Sequence, residues 1–366
     1  MATYTVGASG GDYTTLAAAI AASTTGDTIS ILANFSHDGT TVTANETDLI
    51  FKSATGLAAD AVIASANQVT FSLSSDGVTF QNLTINNTYT SSGYCIYANY
   101  TVHVADCVLD INHATQGYVV YSPRNGSTFQ RSKFSGGNRG IYHNTATSTW
   151  AVDSCLFTGH SYSGIYSTLG YATIRNCTVV VPDASSSGIY VGSNDPECTI
   201  YNCVVYVDGA QRGIWIDNDA TNIIKNCIAF GTATIAIYFD IQSPLTFADL
   251  LDDGDVTDSG EDVFDDRAGG DYHPNTDGVA YQSGLAAGAP ALDLDGLPFA
   301  NPPSRGCLEV VVSNKTLATL SVSNVAGGTD MVQVDLHGID YIKVEASEAS
   351  DAAANTVIEF GLYSKD

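Results

Sequence analysis

Basic residues are scarce in this chain. Its 366 residues include 13 Lys and Arg against 39 Asp and Glu, a net charge of −26. Contacts to phosphate rest mainly on those two basic side chains, so the balance argues against a nucleic-acid partner. It argues against an anionic membrane surface for the same reason, and the excess acid reads first as a solubility device. Charge of either sign is sparse, at 14% of residues, where about a quarter is usual. Ser, Thr, Asn, Gly and Tyr must therefore cover the surface, a balance that suits strands better than charge-laced helices. No apolar run approaches the ~20 residues a membrane-crossing helix needs. The start, MATYTVGASGG, lacks a basic segment followed by an apolar one, which predicts synthesis in the cytoplasm without a secretion signal; secretion or cell-surface display is the alternative. There is no CxxC pair and the His residues are scattered, which leaves no metal-ligand pattern and predicts no cofactor.

What the chain does contain is a repeat. Ile174-Arg175-Asn176-Cys177 matches Ile200-Tyr201-Asn202-Cys203 and Ile224-Lys225-Asn226-Cys227. Looser copies run through Phe80-Gln81-Asn82-Leu83, Val104-Ala105-Asp106-Cys107, Phe129-Gln130-Arg131-Ser132 and Val152-Asp153-Ser154-Cys155. The fourth position falls at 83, 107, 132, 155, 177, 203 and 227, in steps of 24, 25, 23, 22, 26 and 24 residues. So even a period marks a solenoid. Each unit holds only short β-branched runs between Gly, Asn, Ser and Asp, with no room for a helix. The fold class is all-β: a single-stranded parallel β-helix of about 24 residues per coil, with coils roughly 4.8 Å apart. Identical residues then stack, and the Asn column at 82, 176, 202 and 226 is expected to pass amide hydrogen bonds from coil to coil.

The chain resembles the right-handed parallel β-helix proteins of the pectin-lyase-like superfamily, of the kind found in phage tailspikes and appendages. The resemblance rests on the repeat and on the opening GGDYTTLAAAIAASTTGDTISIL, residues 10–32. There, Tyr13 to Ser23 is similar to a helix capping the first coil, and Asp27 to Leu32 to a first strand. It rests also on 271–310, where Ala289-Pro290-Ala291-Leu292-Asp293 and Asp295-Gly296-Leu297-Pro298 stand in for a closing phrase. The resemblance implies an N-terminal cap over 1–30 and a β-helix over 31–312. Past 312 the period stops, and alternating runs suggest a small β-module over 313–366 that faintly resembles C-terminal modules of phage virion proteins. The scaffold hosts lyases, hydrolases and adhesins alike, so it fixes no activity.

Eight cysteines are an even number, but five share one repeat column. Stacked coils point their Cβ atoms in parallel, which suits buried thiols better than disulfides. A second column reads Tyr97, Tyr121, Tyr142, Tyr166, Tyr190, Trp215 and Tyr238, each after an aliphatic residue. Strand alternation turns the rings outward if the aliphatic residues face the core. Such a strip serves as a stacking platform for a polysaccharide, as the seam of a homotrimer, or as a self-stabilising ladder of rings.

Two residues further along each strand, Asp217 and Asp240 fall on neighbouring coils, the spacing of a carboxylate pair for glycosidase chemistry. A pectate-lyase-like mechanism would want Asp ligands for Ca²⁺ and an outward Arg or Lys. Arg175, Arg212 and Lys225 lie on these coils, Arg175 and Lys225 in a different column. Basic residues bunch once, at Arg124, Arg131, Lys133 and Arg139 with His143. The acidic run 250–266 departs from EF-hand spacing at Asp258 and Phe264, leaving at most a weak Ca²⁺ loop. The function expected is a structural or attachment protein of a bacteriophage virion, contacting other virion proteins and host-surface glycans as a homotrimer. A polysaccharide lyase or glycoside hydrolase is the alternative.

Overall fold

The computed structural model describes residues 1–309 except 38, 113–115, 122, 146–147, 183–186, 195–197, 209–211, 218–222, 232–234, 241–262, 279, 285 and 287–288, and except the side chains of 182, 193–194, 208, 230 and 235–240. The chain divides into two units, Met1–Val311 and Val312–Asp366. The expected C-terminal module falls on the second, outside the described residues.

Three parallel sheets of ten, eight and nine strands run the length of the first unit. From Ile50–Ser53 onward each coil contributes one strand to each; the coil of Asn202 supplies Thr199–Tyr201, Val204–Asp208 and Arg212–Asp217. Strand pairing is always to the coil before and the coil after, as between Ile174, Ile200 and Ile224 in the first sheet. Inward positions stack on like positions. Phe51 and Phe80 lie 5.4 Å apart at 12°, and Phe134 and Phe157 4.7 Å apart at 8°.

At the N-terminal end, the helix Leu16–Ala22 buries Leu16, Ala19 and Ile20, and Thr15 caps it through Oγ1, which accepts from the Ala18 N–H at 3.2 Å. The first strand is Thr3–Val6, paired with Thr28–Ile31. It precedes the helix, where the sequence placed the first strand after it.

The bend between the first and second sheets explains the Ile-x-Asn-Cys phrase. Asn82, Asp106, Arg131, Ser154, Asn176, Asn202 and Asn226 all have φ between +42° and +56°. That left-handed region suits Asn and Asp better than most other side chains. One rung of the expected amide ladder is present, with Asn202 Nδ2 donating to Asn176 Oδ1 at 3.1 Å. The amides of Asn176 and Asn226 reach instead to the carbonyls of Ser304 and Ser283. Backbone shape, shared by Asp, Arg and Ser, is what the column has in common.

The next column supplies a donor. The thiols of Cys107, Cys155, Cys177, Cys203 and Cys227 each donate to the carbonyl two residues back at 3.2–3.4 Å. Ser132 Oγ does the same to Gln130 at 2.8 Å. All eight cysteines are free and buried. Burial pushes Cys107 up to about 12 and Cys155 and Cys203 well above the ordinary thiol range, which keeps the protons that these bonds require.

Residues 263–309 do not continue the coil. Phe264–Asp266 and Asp271–Pro274 form an antiparallel pair. Val263, Phe264 and Ala280 pack on Val180, Val204, Tyr206 and Ile228 from the outside of the second sheet, and Leu294, Cys307 and Leu308 pack on Leu156. Hydrogen bonds from Ser154 Oγ to Leu292 O and from Gly306 N–H to Asn202 O, both 2.7 Å, fasten the segment along the bend. The expected closing coils are thus a lateral strap. Its Asp293 carboxylate accepts three backbone N–H groups, from Asp295, Leu297 and Glu309, at 2.7–3.0 Å, which accounts for the Asp295-Gly296-Leu297-Pro298 phrase.

Candidate functional site

The third sheet carries the aromatic column. Ile96, Val120, Ile141, Ile165, Ile189 and Ile214 are fully buried, so alternation turns Tyr97, Tyr121, Tyr142, Tyr166, Tyr190 and Trp215 outward, and each is half-buried. Glycine precedes several of these Ile-aromatic pairs because the second sheet comes close. A Cβ on Gly188 would lie 2.3 Å from a Val205 methyl, and one on Gly164 2.6 Å from a Val179 methyl.

The rings form one run in register. Centroid separations are 5.0 Å for Tyr97–Tyr121, 5.5 Å for Tyr121–Tyr142 and 5.7 Å for Tyr142–Tyr166. Tyr166 and Tyr190 stack at 4.4 Å, while Trp215 meets Tyr190 edge-on at 5.0 Å. Tyr238 pairs with Trp215 in the backbone register; its side chain is outside the described residues. Six rings cover five coil rises, about 24 Å at 4.8 Å each.

A second row beside them went unread in the sequence. Tyr94, Tyr118 and Arg139 are in register three residues before Tyr97, Tyr121 and Tyr142. Tyr118 lies 5.0 Å from Tyr142. The Arg139 guanidinium carbon sits 4.2 Å from the Tyr166 ring centre, 4.3 Å from Tyr162, 5.1 Å from Tyr142 and 5.2 Å from Tyr118. Arg212 lies 3.6 Å over Trp215. Partial burial raises the phenols of Tyr94, Tyr121, Tyr142, Tyr166 and Tyr190, and Arg139 opposes the rise at Tyr142 and Tyr166. Strict alternation does not point to this row, because the position two before a buried aliphatic shares its inward face, and on the following coils the same column is the fully buried Ser163 and Ser187.

The charged candidates are dispersed. Asp217 and Asp240 are backbone partners on adjacent coils, and Asp217 accepts a hydrogen bond from the Tyr190 hydroxyl at 3.3 Å. The Asp240 side chain is outside the described residues. Arg175 is held by Asp153 through two bonds of 2.7 Å, and Arg131 by Asp106 through bonds of 2.7 and 2.8 Å. Lys133 is exposed on the second sheet and His143 is fully buried, stacked on Trp150 at 4.9 Å. The basic bunch of the sequence is therefore no patch: Arg124 lies in a loop, Arg131 at the bend, Lys133 on the second sheet, and Arg139 and His143 on the third. Among the described residues no group of three or more His, Cys, Asp or Glu is arranged to hold a metal ion, and residues 250–262 of the acidic run are outside them. A cavity of about 300 Å³ opens beside the capping helix, lined by Ile20, Phe35, His37 and Val42 among others.

Three parallel sheets wound coil on coil, with one face paved in rings, define a parallel β-helix protein. Residues 118–249, which include the strip from Tyr118 onward, match the family described as "Right handed beta helix region". Among solved structures, a crystal structure of pectate lyase Pel9A shares the fold with a TM-score of 0.55 at 13% identity, over 84% of this chain and 96% of that one. No curated protein matches the sequence. The fold is that of the right-handed parallel β-helices of the pectin-lyase-like superfamily.

Proposed function

We propose that this chain is an attachment or structural protein of a bacteriophage virion whose aromatic face receives a host-surface glycan laid along the helix axis. The observation that carries the reading is the continuous run of half-exposed rings from Tyr97 to Trp215. Sugar rings present apolar C–H faces, and successive outward aromatics offer them a long platform with few polar demands. Eight free, buried thiols agree with folding in a reducing compartment. The reading expects a homotrimer and contacts with other virion proteins, and it needs no cofactor.

Retention of the full chain on immobilised polysaccharides, with Trp215→Ala and Tyr166→Ala as controls, tests it. Retention lost in both variants is the expected result; no retention of the parent on a broad glycan panel would sink the proposal. A second reading, polysaccharide lyase or glycosidase, is favoured by Asp217 at the end of the strip with Asp240 in register. Unsaturated-product absorbance and reducing-end release from the same polysaccharides distinguish the two.

A further inference from the structure

We propose that Arg139 makes the aromatic face selective for saccharides bearing an anionic group, a carboxylate, sulfate or phosphate, seated on the guanidinium while the sugar ring rests on Tyr142 and Tyr166. This rests on the reading of the face as a glycan platform and adds the chemical class.

Charge is sorted on this sheet against the trend of the chain. Acidic residues outnumber basic ones threefold overall. Yet the strands of the third sheet, from Val42–Ala44 through Ile216, contain two arginines and no Asp or Glu. Acid returns at Asp217 and Asp240, on the last two strands.

Arg139 is also unusual in its partners. Arg131 and Arg175 are each clasped by a carboxylate one coil away. Arg139 has four tyrosine rings within 5.2 Å, and among the described residues no carboxylate lies within ion-pair reach. Its Nε is buried and has no hydrogen-bond partner. Rings hold a guanidinium in place; with Nε buried, the end-on pair Nη1 and Nη2 is the part of the N–H fork left for a ligand. That fork is the part that recognises a planar or tetrahedral anion with two parallel bonds. An arginine oriented before binding loses little rotamer freedom when an anion arrives. The distant acids of the chain oppose such a ligand only weakly, because screening sets in at about 8 Å at physiological ionic strength.

Affinity electrophoresis of the full chain tests this with matched pairs: dextran against dextran sulfate, and polygalacturonate against its fully methyl-esterified form. Retardation by at least one charged member over its neutral partner is expected, and which pair responds separates sulfate from carboxylate. Arg139→Gln should weaken the charged ligand about ten- to hundredfold, the range for a hydrogen bond to a charged group. A fall of the same size in neutral binding overturns the selectivity, because Arg139 would then act only by holding the rings. Arg139→Lys keeps the charge without the fork and should recover only part of the loss. A melting curve on each variant separates misfolding from lost recognition. If Arg139→Gln does not fold, Arg139→Lys alone decides: undiminished charged-ligand affinity overturns the role of the fork. Equal retardation by neutral and charged members overturns the selectivity and leaves the glycan platform standing. No retardation by any of the four overturns both.

Discussion

Tyr166 and Tyr190 stack one coil apart, ring centres 4.4 Å apart and planes within 18°. Tyr166 also touches Tyr142, Tyr162 and Arg139, so it joins the outer run to the row beside it. Tyr166→Ala is expected to cost about 1.5–4.5 kcal/mol, at roughly 0.5–1.5 kcal/mol for each of the three ring pairs lost. Tyr166→Phe should keep most of that. Thermal unfolding of both variants checks the difference; an Ala variant as stable as the parent would show that the stack contributes nothing.

The Cys column gives a substitution rule. Cys155 and Cys203 use their thiols as donors to the carbonyl two residues back, and Ser132 shows that a hydroxyl serves in the same role. Cys203→Ser should therefore be tolerated within about 1.5 kcal/mol. Cys203→Val, which removes the donor and adds volume, should cost about 1–3 kcal/mol. A thiol reagent should find no reactive group in the native protein and all eight after denaturation.

Asn202 has φ +53° and donates through Nδ2 to Asn176. Asn202→Ala is expected to cost about 1–2 kcal/mol of left-handed strain plus the lost bond. Asn202→Gly loses the same side chain without the strain, so it should be the milder change. Denaturant unfolding of the pair tests whether φ or the amide dominates; equal losses would favour the amide.

Two buried imidazoles make stability depend on pH. His143 and His160 are fully buried, and desolvation lowers both from 6.5 to about 4. The unfolded chain binds their protons at higher pH than the folded one. Their contribution to stability is therefore complete above about 6.5 and declines as pH falls toward 4. Asp293, raised by burial, works the other way, losing stability as pH rises through the lower part of this window. The melting temperature should fall between pH 6.5 and 4.5, and His143→Phe should flatten that slope. A melting temperature constant over that range would contradict the assignment.

Arg175 is fixed by two bonds to Asp153, a largely buried carboxylate. It is expected to act in stability and not as an outward base. Asp153→Asn should lower the melting temperature and leave glycan retention unchanged. Loss of retention without loss of stability would return Arg175 to the list of ligand-contacting groups.

The solenoid, its period and the facing of each aliphatic–aromatic pair of the third sheet were legible in the sequence. These follow from local alternation: Ile214 must be buried if Trp215 is not, and stacking repeats the rule on every coil. The capping helix was legible in the alanine-rich stretch from Tyr13 to Ser23, within which it runs from Leu16 to Ala22. Tertiary structure decided the rest. The Asn column looked like an amide ladder, but its shared property is a left-handed bend, which a list of residue types does not display. Arg139 and Tyr162 are 23 residues apart in sequence. They meet because the coil returns the chain to the same face, so the tyrosine cage of Arg139 exists only in three dimensions. The closing phrase around Asp293 read as one more coil, and became a strap because Val180, Val204, Tyr206 and Ile228 left an apolar outer face for it to cover. The near-continuous apolar run of Val204–Asp208 held that information, since a strand buried on both sides loses its alternation. Which segment would cover it was a matter of packing alone.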